Sequence, residues 1–273
     1  MRALRLTAEW PVDTVAAAIV FPDGEVRTTG PVHHRFRIAS IAKMLVGYTV
    51  LIGCEEGTVA LDQPAGQPGC TIRHLLAHAG GYPFEGDGPI ARPAQRRIYS
   101  NTGVELAADA LAKAAGMPFG EYLTEAVLAP LGMNDTTLRG SPAHGVHSTV
   151  ADLVAFVGEL RAPRLLSPAG AAQFRTVQFP GLAGIVPGIG RFDECDWGLG
   201  TELRGSKHPH WTGTRNSPST YGHFGGAGTL LWVDPGVHVA CVALTDRPFD
   251  EWAATALHLW PAFGDAALTE AGV

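Results

Sequence analysis

The chain has 273 residues, is 46% hydrophobic, and carries a formal charge of −6 from 20 basic and 26 acidic side chains. That is enough apolar material for one large core or two closely packed ones. The acidic balance, with no run of basic residues, argues against nucleic acid and anionic membranes as partners and leaves small molecules or peptides.

Arg2 and Arg5 open the chain, but Glu9, Pro11 and Asp13 interrupt any leader core, and Val15 to Phe21 is too short to span a bilayer. A cytoplasmic protein is therefore expected. Cys54, Cys70, Cys195 and Cys241 are widely spaced without a C-x-x-C pair, which points to buried free thiols rather than a zinc site or disulfide scaffold. His33 and His34 have no further ligand at metal-binding spacing, so no metal is expected.

Val15 to Val20, the turn Pro22-Asp23-Gly24, and Glu25 to Thr29 read as a hairpin, followed by a short extended stretch over Val32 to Arg37. From Ala39 or Ser40 the longest uninterrupted apolar helical pattern in the chain runs to about Glu56, where Gly57 supplies a C-cap. Thr71 to His78 reads as a short helix. Thr102 to Ala115, Phe119 to Leu128 and Ser148 to Leu160 read as three longer ones, the last capped by Ser148 or Thr149. Beyond Trp197 the period changes: Gly198 to Leu203, Gly228 to Val233 and Val237 to Leu244 read as strands, and Asp250 to Leu259 as a closing helix.

Strands at both ends with helices between them predict a mixed α/β (α+β) fold. Residues 1–60 and 185–273 would form a discontinuous sheet domain, residues 61–184 a mostly helical inserted one, and the active site would lie between them. Two loop-like stretches, 82–97 and 181–194, are expected to supply pocket walls.

Ser40 and Lys43 stand three apart, so on a helix they share one face and an amine comes within reach of a hydroxyl. A serine becomes a nucleophile when a neighbour accepts its proton, and lysine can do this where burial lowers its pKa. Neither a G-x-S-x-G elbow nor a P-loop is present. Further along stand Tyr99-Ser100-Asn101 and His223-Phe224-Gly225-Gly226.

This ordered set, serine-x-x-lysine, tyrosine-x-asparagine and histidine-x-glycine, resembles the signature of penicillin-recognising serine hydrolases, in their branch of class C β-lactamases, D-alanyl-D-alanine carboxypeptidases and esterases. Flanking stretches extend the resemblance along nearly the whole chain: 72–81, Pro130-Leu131-Gly132-Met133, Trp197-Gly198-Leu199-Gly200 and Val233-Asp234-Pro235. It implies a β-lactamase-like antiparallel sheet flanked by helices, and no cofactor.

The resemblance also implies roles. Ser40 would form an acyl-enzyme. Lys43 or Tyr99 would be the base, with the Tyr99 pKa lowered by the nearby ammonium. The backbone N–H groups of Ser40 and Gly226 would bind the oxyanion, and Gly225 with Gly226 would let the strand approach the substrate. Asn101 would bind a substrate amide or steady Lys43, or else serve only as a helix N-cap. His223 would partner Tyr99, or else be a structural turn residue. His74 and His78 are expected to pack or hydrogen-bond in the helical region, and His208 and His210 to lie in an exposed loop.

Where the lactamase form of the third motif has a lysine followed by a hydroxyl residue, this chain has His223 and Phe224. A neutral ring and a phenyl group give a substrate carboxylate neither a charge nor a hydroxyl donor. The expected activity is therefore hydrolysis of an ester or a small amide or peptide, with β-lactam cleavage weak or absent. The competing readings are a true β-lactamase or D-Ala-type peptidase, an acyltransferase, and a non-catalytic binding protein on the same fold.

Overall fold

The computed structural model describes residues 1–273. Helix α1 (Arg2–Leu6) precedes the hairpin of β1 (Val15–Val20) and β2 (Val26–Thr29). Strand β3 (Phe36–Arg37) leads through a single 3-10 turn, Ala39–Ile41, into α2 (Ala42–Glu55). The helical segment follows, with α3 (Ile72–Leu76), α4 (Asn101–Ala115) and α5 (Phe119–Leu123), the last continuing into a π turn over Thr124–Leu128. Strands β4 (Thr137–Leu138) and β5 (Val146–Ser148) precede α6 (Val150–Arg161) and α7 (Pro168–Phe174). The chain then returns through β6 (Gly184–Val186), β7 (Gly190–Phe192), β8 (Glu202–Leu203), β9 (Tyr221–Gly225), β10 (Thr229–Asp234), β11 (Val239–Thr245) and α8 (Ala253–Glu270).

Six strands form one antiparallel sheet in the order β2-β1-β11-β10-β9-β8, so the first hairpin pairs directly with the last strand. Alternation along these strands sorts side chains between two cores. Ala17 and Ile19 of β1, with Leu230, Trp232 and Cys241, face a core closed by α1 and α8. Ala16, Ala18, Leu231, Val233 and Val242 face the other, which continues without a break through α2, α4 and α6 as one cluster of 48 buried residues. The helical segment and the sheet thus share a core. Helix α2 runs through it with no solvent face, since every residue from Ala42 to Gly53 is buried.

Local signals explain the helix ends. Thr71, Ser100, Thr149 and Ser167 each accept a backbone N–H at a helix N-terminus, and Gly116 closes α4 in the left-handed conformation at φ 68°. All four cysteines are free. No helix is long and apolar enough to cross a membrane.

Three expectations need correction. Gly198 to Leu203 is a strand only at Glu202–Leu203. The preceding turn presses onto neighbouring backbone, where a Cβ on Gly198 would overlap the Phe174 carbonyl and one on Gly200, at φ 81°, the Lys43 carbonyl. The closing helix runs eleven residues past Leu259 and passes through Pro261. Burial of Trp260, Phe263, Ala267 and Leu268 against the sheet outweighs the lost backbone bond. His210, expected in solvent, is buried, with its Nε2 3.2 Å from Glu202 Oε1.

Candidate active site

The turn carrying Ser40 is fixed from several directions. Ile38 N–H donates to Val146 O at 3.0 Å, and Ile38 O accepts the Thr229 hydroxyl at 3.0 Å. Ala39 takes a left-handed φ of 47°, a strained conformation for a residue with a side chain, costing about 1–2 kcal/mol. Strain of this kind persists where surrounding contacts over-determine the backbone. The result is a half-buried Ser40 hydroxyl at the head of α2, facing a cavity of about 280 Å³.

Gly225 is part of that constraint. It is buried, and a Cβ there would overlap the Ile38 carbonyl and the Thr229 hydroxyl, so its small size lets β9 press against the Ser40 turn. It does not line the cavity, unlike Gly226, which is exposed with open space around its Cα and an N–H that finds no acceptor in the chain. The two glycines should therefore respond differently. Gly225→Ala is expected to lower stability by about 1–3 kcal/mol through overpacking, and Gly226→Ala to change it by less than about 0.5 kcal/mol, as read by urea unfolding.

One turn beyond Ser40, Lys43 is fully buried. Its Nζ lies 3.1 Å from Ser40 Oγ, 2.7 Å from Asn101 Oδ1 and 3.0 Å from the Ala143 carbonyl, and sits over the Tyr99 ring 4.8 Å from its centroid. Burial lowers its pKa from 10.5 to about 7, with Glu105 offsetting the shift in part. A neutral amine at this position has a lone pair to accept the Ser40 proton. Asn101, drawn from the other side of the site, opens α4 as its first helical residue. The cap is Ser100, so Asn101 is free to hold Lys43, while its Nδ2 reaches Glu85 at 3.4 Å.

Tyr99 and His223 complete the group. Their Oη and Nε2 are 3.4 Å apart, and both residues line the cavity that Ser40 faces. His223 Nδ1 is 2.6 Å from the Phe224 carbonyl, which can only accept. The proton therefore sits on Nδ1, and Nε2 presents a lone pair to the Tyr99 hydroxyl. Burial, then the nearby Lys43, push the His223 pKa down to about 3, so the ring is neutral.

The expected lowering of the Tyr99 pKa is reversed. Burial raises it, the Ser40 hydroxyl opposes the rise and Glu202 adds to it. A half-buried ring beside a neutral imidazole, and an amine only partly protonated at neutral pH, lacks the permanent cation that would favour phenolate.

The cavity walls come from the two expected loops. Phe84 lies on one side and Val186-Pro187-Gly188 on the other, closed by Trp197, Phe224 and Phe249. No lysine or arginine lines it, while Asp250 and Glu202 do. Glu202 is buried behind the site. Burial disfavours its charge, but His210, Lys207 and the Trp211 indole N–H outweigh this and hold its pKa at about 2. Arg97 and His78 support the walls from behind; His78, expected to pack or hydrogen-bond in the helical region, does both, whereas nothing in the sequence singled out Arg97.

Fold and site together define a serine-hydrolase-type enzyme of the penicillin-recognising class. The beta-lactamase family model matches residues 14–260, and the chain belongs to that family. It is 48% identical to a beta-lactamase from Mycobacterium bovis, with a TM-score of 0.96 over 99% of this chain and 100% of that one. A 143-position alignment that covers 39% of the chain is 30% identical to a D-alanyl-D-alanine-carboxypeptidase/endopeptidase of Escherichia coli K12, and covers only 37% of that relative's length. The fold is also that of EstCE1, a hydrolase with promiscuous acyltransferase activity, at 17% identity and a TM-score of 0.74 over 96% of both chains.

Proposed function

We propose that the chain hydrolyses an ester or small amide with a compact, uncharged acyl group through an acyl-enzyme on Ser40, and that β-lactams and free C-terminal carboxylates are poor substrates. In acylation, neutral Lys43 takes the Ser40 proton as Oγ bonds to the carbonyl carbon, and the backbone N–H groups of Ser40 and Gly226 receive the oxyanion. Tyr99 gives its proton to the departing oxygen or nitrogen, leaving phenolate beside the new ammonium. In deacylation the phenolate takes a proton from water, the hydroxide attacks the acyl carbon, and the Lys43 ammonium returns its proton to Ser40 Oγ. In the resting enzyme His223 Nε2 accepts from the Tyr99 hydroxyl and orients the phenol. Asn101 steadies Lys43.

The observation that carries this reading is the contact of Lys43 with Ser40 at 3.1 Å beneath a cavity lined without a lysine or arginine. A substrate carboxylate entering that cavity would lose its hydration without gaining a cation, and would meet Asp250. The volume of about 280 Å³ lies at the small end for ligand pockets and suits short acyl groups. The test compares short-chain p-nitrophenyl esters with a chromogenic cephalosporin, using Ser40→Ala as control. Esters are expected to be cleaved with higher kcat/KM and a fluorophosphonate to label Ser40. Equal turnover of the cephalosporin would refute the substrate preference, and an unlabelled Ser40 would refute the mechanism.

A further inference from the structure

His78 does three things at once to the segment that carries Tyr99. Its carbonyl accepts the Ile98 N–H at 2.9 Å, and its ring Nδ1 accepts the Ser100 N–H at 3.1 Å. Both chain neighbours of Tyr99 are therefore tied to one residue. The imidazole also packs directly against the Tyr99 ring, with centroids 4.6 Å apart, and stands edge-on to Trp197 at 4.5 Å.

This arrangement depends on an unfavourable backbone. His78 has φ 55°, in the left-handed region, which turns its carbonyl and its ring toward the same stretch of chain. The ring itself has an unmet need. Because Nδ1 accepts a backbone N–H, the proton of the neutral ring must sit on Nε2, which is buried with no partner. An unpaired buried donor costs about 1–3 kcal/mol, which a leucine or phenylalanine packed in the same place would avoid. A histidine here is therefore accounted for by its Nδ1 acceptor and not by packing.

We infer that His78 is a positioning residue for Tyr99, fixing through two hydrogen bonds the backbone from which the phenol projects toward Ser40 and His223. The inference rests on the proposed role of Tyr99 in proton transfer. A displacement of the phenol by about 1 Å is enough to lower turnover by two orders of magnitude. His78 touches neither substrate nor reacting atoms and acts only through the geometry of residues 98–100.

Two substitutions separate the acceptor from the ring. His78→Asn tolerates the left-handed backbone and places Oδ1 near the present Nδ1, while His78→Gly tolerates the backbone and removes the acceptor. With a short-chain p-nitrophenyl ester, His78→Gly is expected to lower kcat by about 30- to 100-fold with KM changed less than about threefold, and His78→Asn to stay within about fivefold of wild type. In a Tyr99→Phe background, adding His78→Gly should cost less than about threefold, because the group it positions is gone.

An equal loss from His78→Gly in both backgrounds would overturn the inference. So would a His78→Asn protein with a native circular dichroism spectrum and a kcat lowered by about 30-fold or more from wild type, a measurement that stands even if His78→Gly does not fold. Fluorophosphonate labelling of Ser40 in the wild type reports on the hydrolase reading alone, and full activity of Tyr99→Phe would refute the proposed role of Tyr99 and this inference with it.

Discussion

Replacing Lys43 by methionine is expected to lower kcat/KM for a short-chain ester by roughly 1,000-fold, within the range for loss of a proton-transfer group. Methionine fills similar space but cannot take the Ser40 proton. The wild-type rate should rise as pH increases through about 7, where Lys43 loses its proton. The same residue makes stability depend on pH. Its pKa is about 7 in the folded chain and 10.5 when exposed, so between those values the unfolded chain holds a proton that the folded chain does not. Stability therefore rises with pH across that window, and the burial penalty is fully present below pH 7. From pH 7 to pH 9 the wild type should gain up to about 2–3 kcal/mol relative to Lys43→Met, measured by urea unfolding of both proteins. Parallel pH dependences would show that Lys43 is charged in the folded protein throughout.

Arg97→Met is expected to destabilise the protein by roughly 3–5 kcal/mol, lowering Tm by about 10 °C in thermal unfolding. The Arg97 guanidinium is buried without a carboxylate partner. It donates instead to four carbonyls, those of Ala77 at 2.6 Å, Gln178 at 2.8 Å, Cys195 at 2.9 Å and Phe179 at 3.1 Å. Burial lowers its pKa to about 10, so it remains a cation at neutral pH. Methionine can occupy the stem's volume but would leave all four carbonyls without this donor. Because the Cys195 carbonyl held by the side chain lies two residues before Trp197 in the cavity wall, activity should fall together with stability. Unchanged Tm would mean that those carbonyls find water instead.

Much of the candidate site's geometry was legible because its parts are local in sequence. Ser40 and Lys43 lie one turn apart, and the Tyr99-x-Asn101 pair straddles a helix cap, so spacing alone brings each pair to one place. The sheet was legible wherever turn residues divide apolar runs, as in Asp234-Pro235-Gly236 between β10 and β11. What could not be read depends on backbone crowding or on burial. The turn after Trp197 looks like a strand until Gly198 and Gly200 are seen against other backbone. Likewise, no pattern announces that Arg97 will meet carbonyls 20 to 98 residues away. The direction of the Tyr99 shift follows from a neutral His223 and a desolvated phenol, and both are properties of the assembled interior.

The enclosure of α2 also guides how this enzyme could be reshaped. A helix with neighbours on every side transmits any change of side-chain volume straight to the Ser40 and Lys43 pair, so libraries directed at its length would return mostly inactive proteins. Variation at Phe84 and across 186–188, which line the cavity without touching that pair, is the better route to a changed substrate range. Gly188 is the exception within that window: at φ 75° a side chain would strain the backbone, and its Cβ would come within 2.7 Å of Phe249 and have to displace that cavity-lining ring.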